Sequence, residues 1–158
     1  PAKDKMSPPK YQAIQNSEMK KVDLGENGFI ELIAGEYQGE KGPATTFSPV
    51  HLMNAKLKKG GKPDFSFPAN FNTAALVIEG NIVVNGEENA PTDHFVLFEN
   101  EGENFTIEAS EDAVVLIISG EPLKEPIFHH GPFVMNNRNE ILQAFDDFNQ
   151  GKFGYLED

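Results

Sequence analysis

From Phe29 to Ile118 the chain is a succession of short apolar or alternating runs, each closed by a turn signal. This rhythm limits the fold more than any other feature. Phe29–Ala34 is a mostly apolar run ended by Gly35. His51–Leu57 alternates, with Met53, Ala55 and Leu57 on one face and Asn54 and Lys56 on the other. Phe65 and Phe67 share a face before Pro68 stops the segment. Ala74–Ile78 is wholly apolar and is expected to be buried on both faces. Gly80 bends the chain into Ile82–Val84. Asn85-Gly86 is a strong tight-turn pair, because both residues tolerate positive φ. His94–Phe98, Phe105–Ala109 and Ala113–Ile118 complete the series, the last entered through the turn Ser110-Glu111-Asp112. About eight short strands with turn signals between them predict a two-sheet jelly roll or barrel. No strand–helix–strand rhythm appears, which disfavours a parallel α/β sheet.

The two ends read differently. Pro1–Gln12 has no apolar periodicity, and Pro8-Pro9 favours an extended, polyproline-like path. Such a segment suits a linker or arm that packs on something else. A start at Pro1 rather than Met implies processing, tag removal or a fragment. After Glu121, Pro122, Pro126 and Pro132 punctuate a stretch expected to be irregular. Asn137-Arg138-Asn139-Glu140 then offers a capping box. Ile141, Leu142, Phe145 and Phe148 form one apolar stripe, and Gly151 supplies a left-handed stop. This predicts one helix, about 137–150. Its stripe needs a surface, either the outside of its own barrel or a second domain.

A chain of 158 residues suits one domain with added arms, and at that size about 70% of the unfolded surface can be buried. The absence of cysteine excludes disulfides, thiolate zinc sites and cysteine nucleophiles. The longest apolar run, Ala113–Ile118, is strand-sized, so no helix is expected to span a bilayer. No secretory signal is visible, and a cytoplasmic setting is expected. The net charge of −12 repels phosphate backbones and argues against nucleic acid as a partner. Lys56, Lys58, Lys59 and Lys62 read as a solvated strand end and turn.

Few side chains are placed for chemistry. His51 and His94 each stand alone on their strands, without a second donor at i±2. His129 and His130 are adjacent, so on an extended chain they point to opposite sides and cannot easily share one ion. The carboxylates of Glu99–Glu103 and Glu108–Asp112 fall in runs typical of a solvated surface. No nucleophile elbow or phosphate loop is present. The 13 phenylalanines are expected to fill the interior rather than line a ligand pocket.

Between Gly61 and Gly80 the spacing G-x5-H-x-H-x3-E-x6-G of the cupin family's first motif is kept. Its ligand positions, however, hold Phe67, Ala69 and Thr73. Two imidazoles and a carboxylate would hold a divalent ion; a phenyl ring, a methyl group and a neutral hydroxyl do not. The family's second motif is missing as well. Gly86 and Pro91 stand one residue too close, and Thr92-Asp93-His94 does not continue it.

The stretch Gly120-Glu-Pro-Leu-Lys-Glu-Pro-Ile-Phe-His-His-Gly-Pro-Phe-Val-Met-Asn136 resembles the signature of the pirin family, and Asn137–Gly154 resembles the helix and tail that follow it. Lys5–Gln12 is similar to that family's interdomain segment. Leu32–Glu36 and Lys41–Pro43 are similar to the first strands of its second domain. The resemblance runs from about residue 1 to residue 154. It implies an all-β fold: a cupin double-stranded β-helix, or jelly-roll barrel, with one C-terminal α-helix. Residues 1–20 would be the interdomain arm, 21–121 the barrel and 122–158 a C-terminal extension.

Pirins are two-domain cupins, so the resemblance implies that this chain is the second half. Iron or another divalent metal would sit in an N-terminal domain outside the chain, and none would be held here. The resemblance implies a non-catalytic, metal-free domain that packs against and supports that N-terminal cupin domain. The docking surface would include Pro8, Pro9, Tyr11, Gly131, Pro132, Phe133, Met135 and Phe145. Some pirins are quercetin dioxygenases, so the alternative is one part of a metal-dependent quercetin 2,3-dioxygenase-like enzyme whose active site lies upstream. A nuclear branch acts as a transcriptional cofactor, which admits protein partners. A weaker alternative is a barrel that binds a small molecule or a protein.

Overall fold

The structure, a computed structural model, describes residues 1–154; the last four positions of the expected extension, 155–158, lie outside the described residues. The chain divides into two compact units, Pro9–Pro122 and a smaller one made of Pro1–Pro8 with the segment from Leu123 onward.

The larger unit holds twelve strands: β1 (Lys20–Asp23), β2 (Gly28–Ala34), β3 (Glu36–Tyr37), β4 (Glu40–Lys41), β5 (Val50–Leu57), β6 (Asp64–Ser66), β7 (Asn72–Glu79), β8 (Asn81–Val84), β9 (Glu88–Pro91), β10 (Phe95–Leu97), β11 (Asn104–Ala109) and β12 (Ala113–Gly120). They form a six-stranded sheet ordered β1-β2-β5-β12-β7-β10 and a four-stranded sheet ordered β6-β11-β8-β9, with β3 and β4 as a separate small hairpin. Every ladder is antiparallel. The ladders make two open sheets rather than one closed cylinder, which is the jelly-roll solution to burying two apolar faces.

Alternation decides which side chains meet between the sheets. Ile30, Leu32, Met53, Ala55, Leu57, Ala75, Val77, Val115 and Ile117 come from the large sheet, and Phe65, Ile82, Val84, Phe105 and Ile107 from the small one; all belong to one buried cluster. The expectation for Ala74–Ile78 needs correction. Ala74, Ala75 and Val77 are buried, but Leu76 is half-buried and Ile78 is 42% exposed. In this two-layer arrangement a strand has only one core face, so an unbroken apolar run does not guarantee two. His94–Phe98 shrinks to the edge strand β10, whose Phe95 and Leu97 are exposed.

Three features escaped the reading by pattern. β1 is Lys-Lys-Val-Asp, a charged edge strand of the kind that discourages further pairing. β9 carries a single buried residue, Ala90, and ends on Pro91. The β3–β4 hairpin has only two residues on each side. The Asn85-Gly86 turn has the predicted form: φ is 53° and 75°, and the Glu87 N–H donates to the Val84 carbonyl at 3.0 Å.

In the smaller unit the stretch expected to be irregular contains a hairpin, β13 (Phe128–His130) with β14 (Phe133–Met135), turning at Gly131-Pro132. Helix α1 (Arg138–Asn149) packs on it. Its capping box is complete: the Asn137 side chain accepts from the Glu140 N–H at 3.0 Å, and the Glu140 carboxylate accepts from the Asn137 N–H at 3.3 Å. The buried face differs from the expected stripe. Ile141 and Ala144 are buried, while Leu142 and Phe148 are exposed. Leu142 is rotated ~100° from Ile141, which carries it off the contact line. Phe145 meets Phe133 edge-on at 5.0 Å between ring centres. The Ala2 N–H donates to the Glu125 carboxylate, and Lys5 Nζ donates to the Val134 carbonyl at 2.9 Å, tying Pro1–Pro8 to this unit.

Candidate functional site

Phe67, Ala69 and Thr73 line one cavity of about 260 Å³ in the larger unit. The two glycines that bracket them are needed by the backbone. At Gly61 a Cβ would crowd the Asn27 and Lys58 carbonyl oxygens at 2.7 and 2.9 Å. Gly80 has φ +81°, and a Cβ there would collide with the Asp112 carbonyl oxygen. The motif spacing therefore reflects corners of the fold, which do not depend on what the intervening side chains bind.

Phe67 follows β6 and is buried. Its ring lies 4.8 Å from the His51 ring and 6.1 Å from Phe105. Thr73, inward on β7, is opposite Ser119 on β12; their hydroxyls share a hydrogen bond of 2.8 Å. Both residues are buried and their hydroxyls are partnered by each other, so neither hydroxyl is left orphaned for an ion. Phe71, Phe98 and Phe105 continue the wall, with Phe98 and Phe105 only 4.2 Å apart between ring centres. Glu99, Glu101 and Glu103 also belong to the lining, together with Asn85 and Asn104. The phenylalanines thus do two jobs. Phe65 is entirely core, while Phe67 and Phe105 are core residues that also floor a cavity.

The donor set at this position does not fit a transition metal. It consists of an aromatic face, a methyl group and a hydroxyl engaged elsewhere. Among the described residues, no three of His, Asp and Glu gather to hold an ion. His51 Nδ1 accepts from the Glu36 N–H at 3.3 Å, and His94 Nδ1 sits 3.3 Å from the Thr92 carbonyl. His129 and His130 lie in β13 and are exposed; the His130 ring meets Phe145 at 5.4 Å.

Sequence reading overlooked Glu31. Ile30 and Leu32 face the core, so alternation puts Glu31 on the outer face of the large sheet, where it is nonetheless only 2% exposed. Its carboxylate accepts from Asn16 Nδ2 at 3.0 Å and Asn54 Nδ2 at 3.4 Å, with Lys56 Nζ at 3.2 Å and Lys21 Nζ at 3.5 Å. Burial pushes its pKa up, but the bonds from Lys56, Asn54 and Asn16 outweigh this and hold it below the ordinary value. A lone acid inside the run Phe29–Ile33 was the available signal. Three lysines of the cluster are engaged through their side chains: Lys56 with Glu31, Lys58 with Asp112 at 2.6 Å and Lys62 with Glu108 at 3.0 Å.

The residues expected to dock a second domain fall into two groups. Pro8, Pro9, Tyr11, Gly131 and Pro132 are exposed, Tyr11 at 90%. Phe133, Met135 and Phe145 are half-buried in the smaller unit. Among the described residues no helix is long and apolar enough to cross a membrane.

Two facing antiparallel sheets with a motif-spaced cavity at one end define a cupin-type β domain. The chain belongs to the pirin family, for residues 52–154 match the model of the pirin C-terminal cupin domain. A crystal structure of quercetin 2,3-dioxygenase from Acinetobacter baumannii superposes with a TM-score of 0.91 at 42% identity, covering 99% of this chain and 55% of that one. A Pseudomonas aeruginosa relative, provisionally named a quercetin 2,3-dioxygenase, is 38% identical over 154 residues, covering 97% of this chain and 54% of the relative. Human pirin is 31% identical over 157 residues, covering 96% of this chain and 53% of its own length. The chain therefore spans about half the length of the curated relatives it matches.

Proposed function

We propose that this chain is the non-catalytic, metal-free half of a two-domain pirin-like protein, and that it supports a metal-binding N-terminal cupin domain. The observation that carries the reading is the cavity at Phe67, Ala69 and Thr73, where a metallocupin would place its ligands. Here an aromatic ring and a satisfied hydroxyl pair stand in their place. The relatives' double length supports a partner domain on the same polypeptide. Each unit offers its own part of the proposed docking surface: Pro9 and Tyr11 in the larger one, and Pro8, the Gly131–Met135 hairpin end and Phe145 in the smaller one. The exposed Tyr11 ring and the exposed prolines Pro8, Pro9 and Pro132 are what a docking partner would cover.

Under this reading any flavonol oxidation belongs to the other domain, with a divalent metal such as iron held there. A direct assay separates the two possibilities. The chain supplied with Fe(II) and quercetin is expected to leave the flavonol spectrum unchanged, while a full-length protein containing it turns the substrate over. Turnover by the chain alone refutes the non-catalytic assignment. Inactivity of the metal-loaded full-length protein refutes the dioxygenase assignment.

A further inference from the structure

The cavity has a chemical character of its own. Its wall is Phe67, Phe71, Phe98 and Phe105, and its rim is Glu99, Glu101 and Glu103, with no lysine or arginine in the lining. No cation pairs with these three glutamates among the described residues, although the carboxylates of Glu108 and Asp112 are both paired. The rim segment is pinned by two backbone bonds and one from a side chain. The Phe67 N–H donates to the Glu103 carbonyl at 2.9 Å, the Phe98 N–H to the Thr73 carbonyl at 3.0 Å, and Asn100 Nδ2 to the Phe71 carbonyl at 2.9 Å. The acids are thus held at the mouth of the aromatic wall.

We propose that this cavity binds a small organic cation, an alkyl- or arylammonium whose apolar body lies against the phenylalanines and whose charge faces the glutamate rim. Aromatic faces attract a cation through their quadrupole, and three unpaired carboxylates add a field of the same preference. A phenolate or carboxylate ligand meets repulsion from that rim. A bare divalent ion is poorly matched, because the carboxylates are spread around the mouth and do not converge in a group able to hold a metal ion. The volume, about 260 Å³, lies just under the ~300–1,000 Å³ of drug-sized pockets and so selects small ligands. The inference goes beyond the supporting role, and ammonium uptake is read separately from metal uptake or turnover.

The test is calorimetric or NMR titration of the intact chain, in chelator and at low salt, with choline, with its neutral isostere 3,3-dimethylbutan-1-ol, and with benzoate. Choline is expected to bind saturably and at least about tenfold more tightly than the neutral isostere, with no binding of benzoate. The shifted resonances should belong to Phe67, Phe71, Phe98 and Phe105. The variant E99Q/E101Q/E103Q alters only exposed side chains and is expected to fold, as circular dichroism will check, and to weaken choline binding by about tenfold. Equal binding of choline and its isostere, absence of saturable choline binding, or an unchanged affinity in the folded triple variant overturns the proposal.

Discussion

Replacing Glu31 with alanine removes the acceptor that joins the segment before β1 to strands β2 and β5. The lost bond from Asn16 at 3.0 Å costs about 1–2 kcal/mol, because its acceptor is charged and buried. Asn54, at 3.4 Å, adds a few tenths of a kcal/mol. Lys21 and Lys56 are about half exposed and can return to water, so each pair contributes only about 0–1 kcal/mol. Removing the desolvated carboxylate gives part of this back. The net loss is about 2 kcal/mol, or roughly 4–8 °C in Tm for a chain of this size. Urea unfolding monitored by circular dichroism measures it. Glu31→Gln keeps an acceptor for Asn16 and should lose about 1 kcal/mol. A cycle with Asn16→Ala isolates the Asn16 coupling, expected at about 1 kcal/mol.

The pH dependence follows from the same geometry. The folded carboxyl lies below the ordinary value of 4.5, so its contribution is fully present above that pH and fades as pH falls through the folded value. Glu31→Gln should flatten that part of the acid limb. A Glu31→Ala protein within about 0.5 kcal/mol of the parent, with an unchanged acid limb, contradicts the reasoning.

Phe65→Ala empties the centre of the Tyr37–Phe65–Phe105 ring cluster and should cost about 3–5 kcal/mol by the same unfolding assay. Gly80→Ala forces a side chain into the left-handed region against the Asp112 carbonyl; a loss of more than about 1 kcal/mol in Tm-derived stability is expected, and a neutral result would mean that the β7–β8 corner relaxes freely. In full-length protein, the amides of Gly131 and Phe133–Met135 should exchange more slowly than in the isolated chain, read by mass spectrometry. Equal exchange removes that segment from the proposed interface.

Much of this was legible in the residues, and for identifiable reasons. β11, and β5 from Met53 onward, alternate in sequence, so their inward faces could be assigned from the residues; β12 is an unbroken apolar run whose inward face is set only by its pairing with β5 and β7. Asn85-Gly86 and Asn137…Glu140 carry their geometry in their own side chains or backbone freedom, and both formed as expected. What was missed depends on long-range context. Val22 gives β1 too little apolar signal to stand out between Lys20 and Asp23, and the strand exists because β2 offers an edge. β13 and β14 are three-residue strands flanked by Pro126 and Pro132, which suggested an irregular path, yet Gly131-Pro132 makes the turn between them. Ile78 and Leu142 are apolar but exposed, because apolar character alone does not say which way a residue faces. At the candidate site the spacing that singles out Phe67, Ala69 and Thr73 was visible in the residues, and the structure brings the three to one cavity. The glutamate rim looked like ordinary surface, since its relation to Phe71 and Phe98 arises only when β7 and β10 pair.

Elemental analysis of the purified chain bears most directly on what the space between the two sheets can hold. After incubation with Fe(II), Ni(II), Mn(II) or Zn(II) and exhaustive dialysis, the chain is expected to retain far less than one equivalent of any metal. One equivalent retained, and lost when Thr73 or His51 is replaced, contradicts it.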